Sequence, residues 1–189
     1  AQDSYKAFSI TITAGDQYFD YVTMLLSANT PSSTFVADAS TNSFNITVSG
    51  DTRPNNFNPY TPGYYSNYFD GTGDYLSTTV TGQAPGTGSF TYECWFYITS
   101  LATNRGIMNS RSADTTDGFD LAINTTGQVR ITYTNVVLAT LSAGIAVNTW
   151  YHIAVVKNGS TSTMYLNGSS VSSATDNINY IVEQFQIGK

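Results

Sequence analysis

Apolar and polar residues alternate with a period of two along much of this chain. Phe8, Ile10 and Ile12 alternate with Ser9, Thr11 and Thr13. Phe44, Ile46 and Val48 alternate with Asn45, Thr47 and Ser49. In the clearest run, Phe90, Tyr92, Cys94, Phe96 and Ile98 share one face, and Thr91, Glu93, Trp95, Tyr97 and Thr99 share the other. Similar runs cover 128–134, 150–157 and 162–167. Successive side chains on a strand point to opposite faces, so these runs predict half-buried β-strands. Asp70-Gly71, Asn158-Gly159 and Asn167-Gly168 punctuate them as turns. No segment of helical length carries a 3.6-residue period. Residues 50–65 hold Pro54, Pro59 and Pro62 among polar and aromatic residues. Proline cannot donate to a sheet ladder, so this segment reads as a long ordered loop packed down by Phe57, Tyr60, Tyr64 and Tyr65.

Composition sharpens this picture. The chain has 189 residues, 41% of them hydrophobic, which suffices for a packed core. Charged residues are only 11%, well below the usual quarter. Fourteen tyrosines and ten phenylalanines favour strands over helices. The net charge is −6, with seven scattered Lys and Arg residues, so a nucleic-acid partner is not expected. Cys94 is the sole cysteine, which excludes an intrachain disulfide. No apolar run approaches a membrane span.

Three stretches carry a family pattern: YSNYFDGTGDYLS (65–77), GSFTYECWFYI (88–98) and NTWYHIAVVKNGSTSTMYLNG (148–168). In this order and spacing they resemble the laminin-G-like branch of the concanavalin A-like lectin/glucanase superfamily, over roughly residues 21–189. The resemblance implies a two-sheet antiparallel jelly-roll sandwich. FVADASTNSFNITV (35–48) makes the chain similar to versions found in structural and fibre-like proteins of marine phages, including cyanophages. YKAFSITIT (5–13) resembles the last strand of a bacterial Ig-like or cadherin-like module. The expected organisation is therefore such a strand plus linker over 1–20, then the sandwich over 21–189. Relatives usually continue beyond FQIGK into a further strand. By that comparison the sandwich lacks its final strand, with Ile181, Val182, Phe185 and Ile187 ending beside an open sheet edge.

The superfamily includes glycosidases, whose chemistry calls for particular residues. Glycoside hydrolysis needs two carboxylates facing each other across the scissile bond. The glucanase branch carries them as E-x-D-x-x-E or E-x-D-x-E on one strand. Here the two glutamates, Glu93 and Glu183, are far apart in sequence. No G-x-S-x-G nucleophile elbow exists, and His152 is the only histidine. The expectation is a non-enzyme with His152 structural and Cys94 a buried small hydrophobe.

Glu93, Trp95 and Tyr97 share a strand face and could form a glycan platform, with an aromatic surface for a sugar ring and a carboxylate for hydroxyls. The favoured alternative puts Trp95 in the sandwich core, with Trp150 also buried between the sheets or under a packed loop. Calcium is the one cofactor considered. Asp38, Ser40 and Asn42 follow D-x-S-x-N, while Asp70 and Asp74 flank a glycine turn. Oxygen ligands in loops suit a hard cation, and relatives of the laminin-G type often bind calcium at a sandwich edge. The competing reading is turn capping by Asx hydrogen bonds.

The functional expectation is a virion structural or adhesion module at the particle exterior. Its partners would be other virion proteins or copies of itself, and host cell-surface polysaccharide bound weakly. The alternative is a carbohydrate-binding or adhesin module of a secreted, extracellular bacterial protein or glycosidase.

Overall fold

The computed structural model describes residues 17–27, 36–60, 64–111, 118–133, 136–140 (backbone only), 144–181 and 184–189. The upstream strand expected at 5–13 lies outside them. A single 3-10 turn spans Phe19–Tyr21. Strands follow in order: β1 (Leu26–Ser27), β2 (Ala37–Asp38), β3 (Thr47–Ser49), β4 (Arg53–Asn55) and β5 (Ser66–Tyr68). Next come β6 (Tyr75–Thr79), β7 (Phe90–Tyr97), β8 (Arg105–Asn109), β9 (Phe119–Ile123) and β10 (Val129–Tyr133). The last are β11 (Val136–Thr140), β12 (Trp150–Asn158), β13 (Thr161–Leu166), β14 (Ser169–Thr175) and β15 (Gln184–Ile187).

All strand pairs are antiparallel. A seven-stranded sheet runs β11-β10-β9-β8-β15-β6-β3, and a four-stranded sheet runs β14-β13-β12-β7. Two small ribbons, β1-β2 and β4-β5, complete the set. This is the all-β jelly-roll sandwich expected from the sequence. The core lies between the two large sheets. Phe119, Leu121, Ile123, Val129 and Ile131 come from the larger sheet, and Phe96, Ile153, Val155 and Met164 from the smaller. Tyr92 crosses the gap, with its ring centroid 4.9 Å from Phe119 and 5.6 Å from Phe185. Each fully buried aliphatic or aromatic side chain contributes about 1.5–3 kcal/mol.

The turn after β13 explains how the smaller sheet keeps its register. Asn167 and Gly168 have φ of +49° and +80°, the left-handed pair that a two-residue hairpin loop demands. The Asn167 backbone N–H donates to His152 O at 2.8 Å, and its side-chain Oδ1 accepts from His152 N at 2.9 Å. The turn thereby ties directly to β12.

Two expectations are corrected here. The segment 50–65 is not only loop, because Arg53–Asn55 pairs with β5. Pro54 is tolerated because its ribbon has two strands, so its strand needs ladder bonds on one side only. Nor does β15 border an open edge. It pairs with β6 through Gln184–Ile187 and with β8 through Gln186 and Ile187. Its apolar residues end beside the core because the strand is inserted within the sheet.

A fully buried polar cluster closes one end of the smaller sheet. Lys157 donates to the Gly159 and Asp176 carbonyls, and its Nζ lies 3.6 Å from Asp176 Oδ1. The Ser162 hydroxyl donates to the Asp176 carboxylate, as does Tyr180 at 2.8 Å. Burial alone would raise the Asp176 carboxyl. The Ser162 and Tyr180 hydroxyls, the Ile178 N–H and the Lys157 ammonium hold it below its ordinary value.

Candidate functional site

Strand alternation places Phe90, Tyr92, Cys94 and Phe96 toward the core and Thr91, Glu93, Trp95 and Tyr97 outward. Cys94 packs against the core cluster, where burial pushes its thiol up to about 12. Trp95 corrects the favoured sequence reading: it is 40% exposed. The core position that reading gave it is occupied by its neighbour Phe96, and the strand period then turns Trp95 out.

The β7–β12 register builds the outer face. Tyr97 stands opposite Trp150, Trp95 opposite His152 and Glu93 opposite Ala154. The His152 ring lies 5.3 Å from Trp95, and its Nε2 lies 3.7 Å from Glu93 Oε2. Trp150 packs 5.4 Å from Tyr97. It is half-buried, and its indole Nε1 is buried without a hydrogen-bond partner.

The loop between β4 and β5 lies over this face and extends it. Phe57 meets Tyr97 edge-on at 4.7 Å and Trp150 at 5.4 Å. Tyr60 reaches Trp95 at 5.6 Å and Tyr64 at 5.7 Å. Asn58 staples the loop: its amide donates to Tyr64 O at 2.7 Å, and its Oδ1 accepts from Tyr60 N at 2.8 Å. Burial pushes the Tyr60 phenol above its ordinary value, and the Glu93 charge adds to that. The sequence reading gave Phe57, Tyr60 and Tyr64 a packing role only. They do pack, yet all three stay more than a third exposed. Their density in a proline-rich segment was the available signal.

Glu93, Trp95 and Tyr97 are therefore together on one surface, joined by His152, Tyr60 and Tyr64. Aromatic faces of this kind stack on the apolar face of a sugar ring, and a carboxylate beside an imidazole can bond its hydroxyls.

The calcium candidates separate into two places. Asp38 is buried, and its carboxylate accepts from Leu25 N and Ser40 N on Oδ1, and from Ser40 Oγ and Phe44 N on Oδ2, all at 2.8–2.9 Å. Burial alone would raise this carboxyl, but those three backbone N–H groups and the Ser40 hydroxyl hold it below its ordinary value. The Asn42 amide donates to Thr23 O at 2.9 Å. Protein donors thus occupy the oxygens of Asp38, which leaves a poor fit for a cation.

Asp70 and Asp74 are close together and are joined by Asp51, with one carboxylate oxygen of each within 4.8 Å of the others. Asp74 accepts from Asp51 N and Asp70 N, each at 2.8 Å. The Asp70 N–H, then burial in opposition, then Asp51 set its carboxyl below the ordinary value. Asp51 and Asp70 are exposed; Asp51 Oδ2 accepts from Arg53 Nη1 at 3.0 Å and Asp70 Oδ1 from Thr72 N at 2.6 Å, which leaves the second oxygen of each outside these bonds and makes this set the better fit for a hard cation. Asp51 was not among the sequence candidates. Only the packing of Gly50 against Asp74 brings it in: a Cβ at Gly50 would lie 2.0 Å from Asp74 Oδ1.

Comparison with known proteins agrees with the geometry of the sandwich. The profile of the concanavalin A-like lectin/glucanases superfamily matches residues 70–189, and the chain belongs to that superfamily. Among solved structures, it is similar to the binding domain of botulinum neurotoxin DC in complex with SialylT. That match has a TM-score of 0.63 and 16% identity, over 87% of this chain and 42% of the other. A structure of botulinum neurotoxin type C, whose cell entry is dependent upon interaction with two ganglioside molecules, matches with a TM-score of 0.60 and 14% identity, over 87% and 42%. The carbohydrate-binding module CBM66 from Bacillus subtilis aligns with a TM-score of 0.46 and 18% identity, over 61% and 73%. The chain thus spans less than half of the neurotoxin chains, and the likeness is one of fold. No curated protein sequence matches. Among the described residues, no helix is long and apolar enough to cross a membrane.

Proposed function

We propose that this chain is a non-catalytic carbohydrate-binding module, whose ligand rests on the outer aromatic face of the four-stranded sheet. One observation carries this reading. Trp95 is turned away from the core and 40% exposed, on a surface it shares with Glu93, His152, Tyr60 and Tyr64. Burying Trp95 would stabilise the fold, and keeping a large indole in solvent among other rings suits a ligand surface. The ganglioside dependence of botulinum neurotoxin type C agrees with it.

The absence of catalysis rests on chemistry. A glycosidase needs an opposed carboxylate pair, and Glu93 shares its outward strand face with Thr91, Trp95 and Tyr97. Calcium belongs in this reading at Asp51, Asp70 and Asp74, as a structural ion at a turn. The biological setting we infer is the exterior of a phage virion, where the module meets other virion proteins, copies of itself or host polysaccharide. A disulfide-free acidic chain suits assembly in a reducing cytoplasm. The second setting is an adhesin or carbohydrate-binding module of a secreted bacterial protein. The reading frame around the segment decides between them: capsid or tail modules beside it favour the first, a catalytic domain or secretion signal the second.

The test of the site is glycan-array binding followed by calorimetry on the best ligand. Trp95→Ala is expected to weaken binding at least tenfold with the fold intact. Unchanged affinity in Trp95→Ala, or steady polysaccharide hydrolysis that Glu93→Gln abolishes, overturns the reading.

A further inference from the structure

The outer face of the seven-stranded sheet carries a row of polar side chains in register across five strands. Ser77 of β6 pairs with Gln186 of β15, and Gln186 with Asn109 of β8. Asn109 pairs with Asp120 of β9, and Asp120 with Thr132 of β10. An irregularity in β8 between Gly106 and Met108 keeps Asn109 in the row while Met108 points to the core. An outward row on a sheet is normally wet, yet Ser77, Asn109 and Gln186 are all at most 9% exposed.

A cavity of about 240 Å³ opens over the row, lined among others by Asn109, Arg111, Asp120, Ala122, Gln186 and Lys189. Arg111 Nη2 lies 3.4 Å from Asp120 Oδ2. Arg130 stands opposite Ala122 and acts electrostatically on Asp120. Arg111, Arg130 and Lys189 are three of the seven Lys and Arg residues in a chain of net charge −6. Arg111 and Arg130 act on one acidic residue, Asp120, and the Lys189 ammonium lies 5.4 Å from the centroid of the Tyr75 ring. Two polar groups are left over: Arg111 Nε in the lining and Thr132 Oγ1 further along the row are buried with no hydrogen-bond partner. Native proteins rarely leave such groups unsatisfied, and exceptions call for an explanation such as an absent partner.

We propose that this cavity is a second ligand site, for the acidic end of a saccharide such as a sugar acid. The lining supplies the Asn104, Asn109 and Gln186 amides for sugar hydroxyls, and the Arg111 guanidinium supplies charge-assisted donors for a carboxylate. The volume is slightly below the ~300 Å³ at which small-molecule sites begin, so it takes one terminal ring and not a chain of them. The site stands on the other sheet from Trp95 and does not depend on the aromatic face.

The test uses calorimetry with trigalacturonate and its methyl ester. The acid is expected to bind, the ester at least tenfold more weakly. Arg111→Gln should reduce affinity for the acid at least tenfold. Should Arg111→Gln fail to fold, amide shift mapping on the wild-type protein decides: perturbations are expected at Ala122, Thr132 and Gln186. Equal affinity for acid and ester, shifts confined to β7 and β12, or no binding at millimolar trigalacturonate overturns the proposal.

Discussion

Tyr60 stands edge-on to Trp95, with ring centroids 5.6 Å apart and planes at 73°. A residue from a proline-rich loop thereby buttresses an outward tryptophan, and the two present one surface. Trp95 owes its environment to this contact and to His152 behind it, not to the core.

The first prediction separates the two indoles. Iodide is expected to quench Trp95 readily and Trp150 weakly, because Trp150 is half-buried against Phe57 and Tyr97 with its indole Nε1 fully covered. Trp95→Phe should remove the accessible fraction. Its truncation to Ala should cost about 1 kcal/mol of stability, against about 3–5 kcal/mol for Phe96→Ala in the core. Urea denaturation of both variants gives the comparison.

Acid should weaken the fold through Asp38 and Asp176. Both carboxyls are held below their ordinary value in the folded chain. Their contribution is therefore full above the unfolded carboxylate range of about 4 and is lost as the pH falls through the lowered folded values. Asp38→Asn and Asp176→Asn are expected to be less stable at pH 7 and to flatten the acid limb of stability against pH. An acid limb as steep as wild type in both variants would refute this.

Removing one partner of the buried pair leaves an uncompensated charge. Lys157→Met is expected to cost about 3–5 kcal/mol, read by thermal and urea melts. The double variant Lys157→Met with Asp176→Leu should recover part of that loss, since a shape-matched apolar pair needs no desolvation of charge.

Calcium should raise the melting temperature, because a ligand held only by the folded state stabilises it by mass action. Asp70→Ala is expected to remove the shift while Asp38→Ala lowers stability and keeps it. A calcium shift lost in Asp38→Ala and kept in Asp70→Ala would move the ion to the other turn.

Deleting residues 184–189 is expected to abolish cooperative folding. β15 bonds to β6 on one side and β8 on the other, and Phe185 joins the core, so its loss splits the larger sheet. A monodisperse, cooperatively melting truncated chain would show that the sheet closes without it.

The sequence by itself determined the class of fold and several of its parts. Alternation found β7, β12 and β13 within a residue or two, because a half-buried strand must repeat every two residues. Asn167-Gly168 announced its hairpin, because few residues accept two positive φ angles in succession. Alternation also divided Trp95 from Cys94 and Phe96, but the period fixes only the two sets and does not say which set a second sheet will cover. That choice, like the folding of Tyr60 and Tyr64 over the outer face, belongs to the tertiary structure. So do the arrival of Asp51 beside Asp70 and Asp74, and the row from Ser77 through Gln186, Asn109 and Asp120 to Thr132. These residues come from strands distant in sequence, and β15 enters between β8 and β6 only when the whole sheet assembles. Contacts set by sheet order leave no local trace in the chain, since each strand's own pattern is satisfied by any neighbour that covers its apolar face.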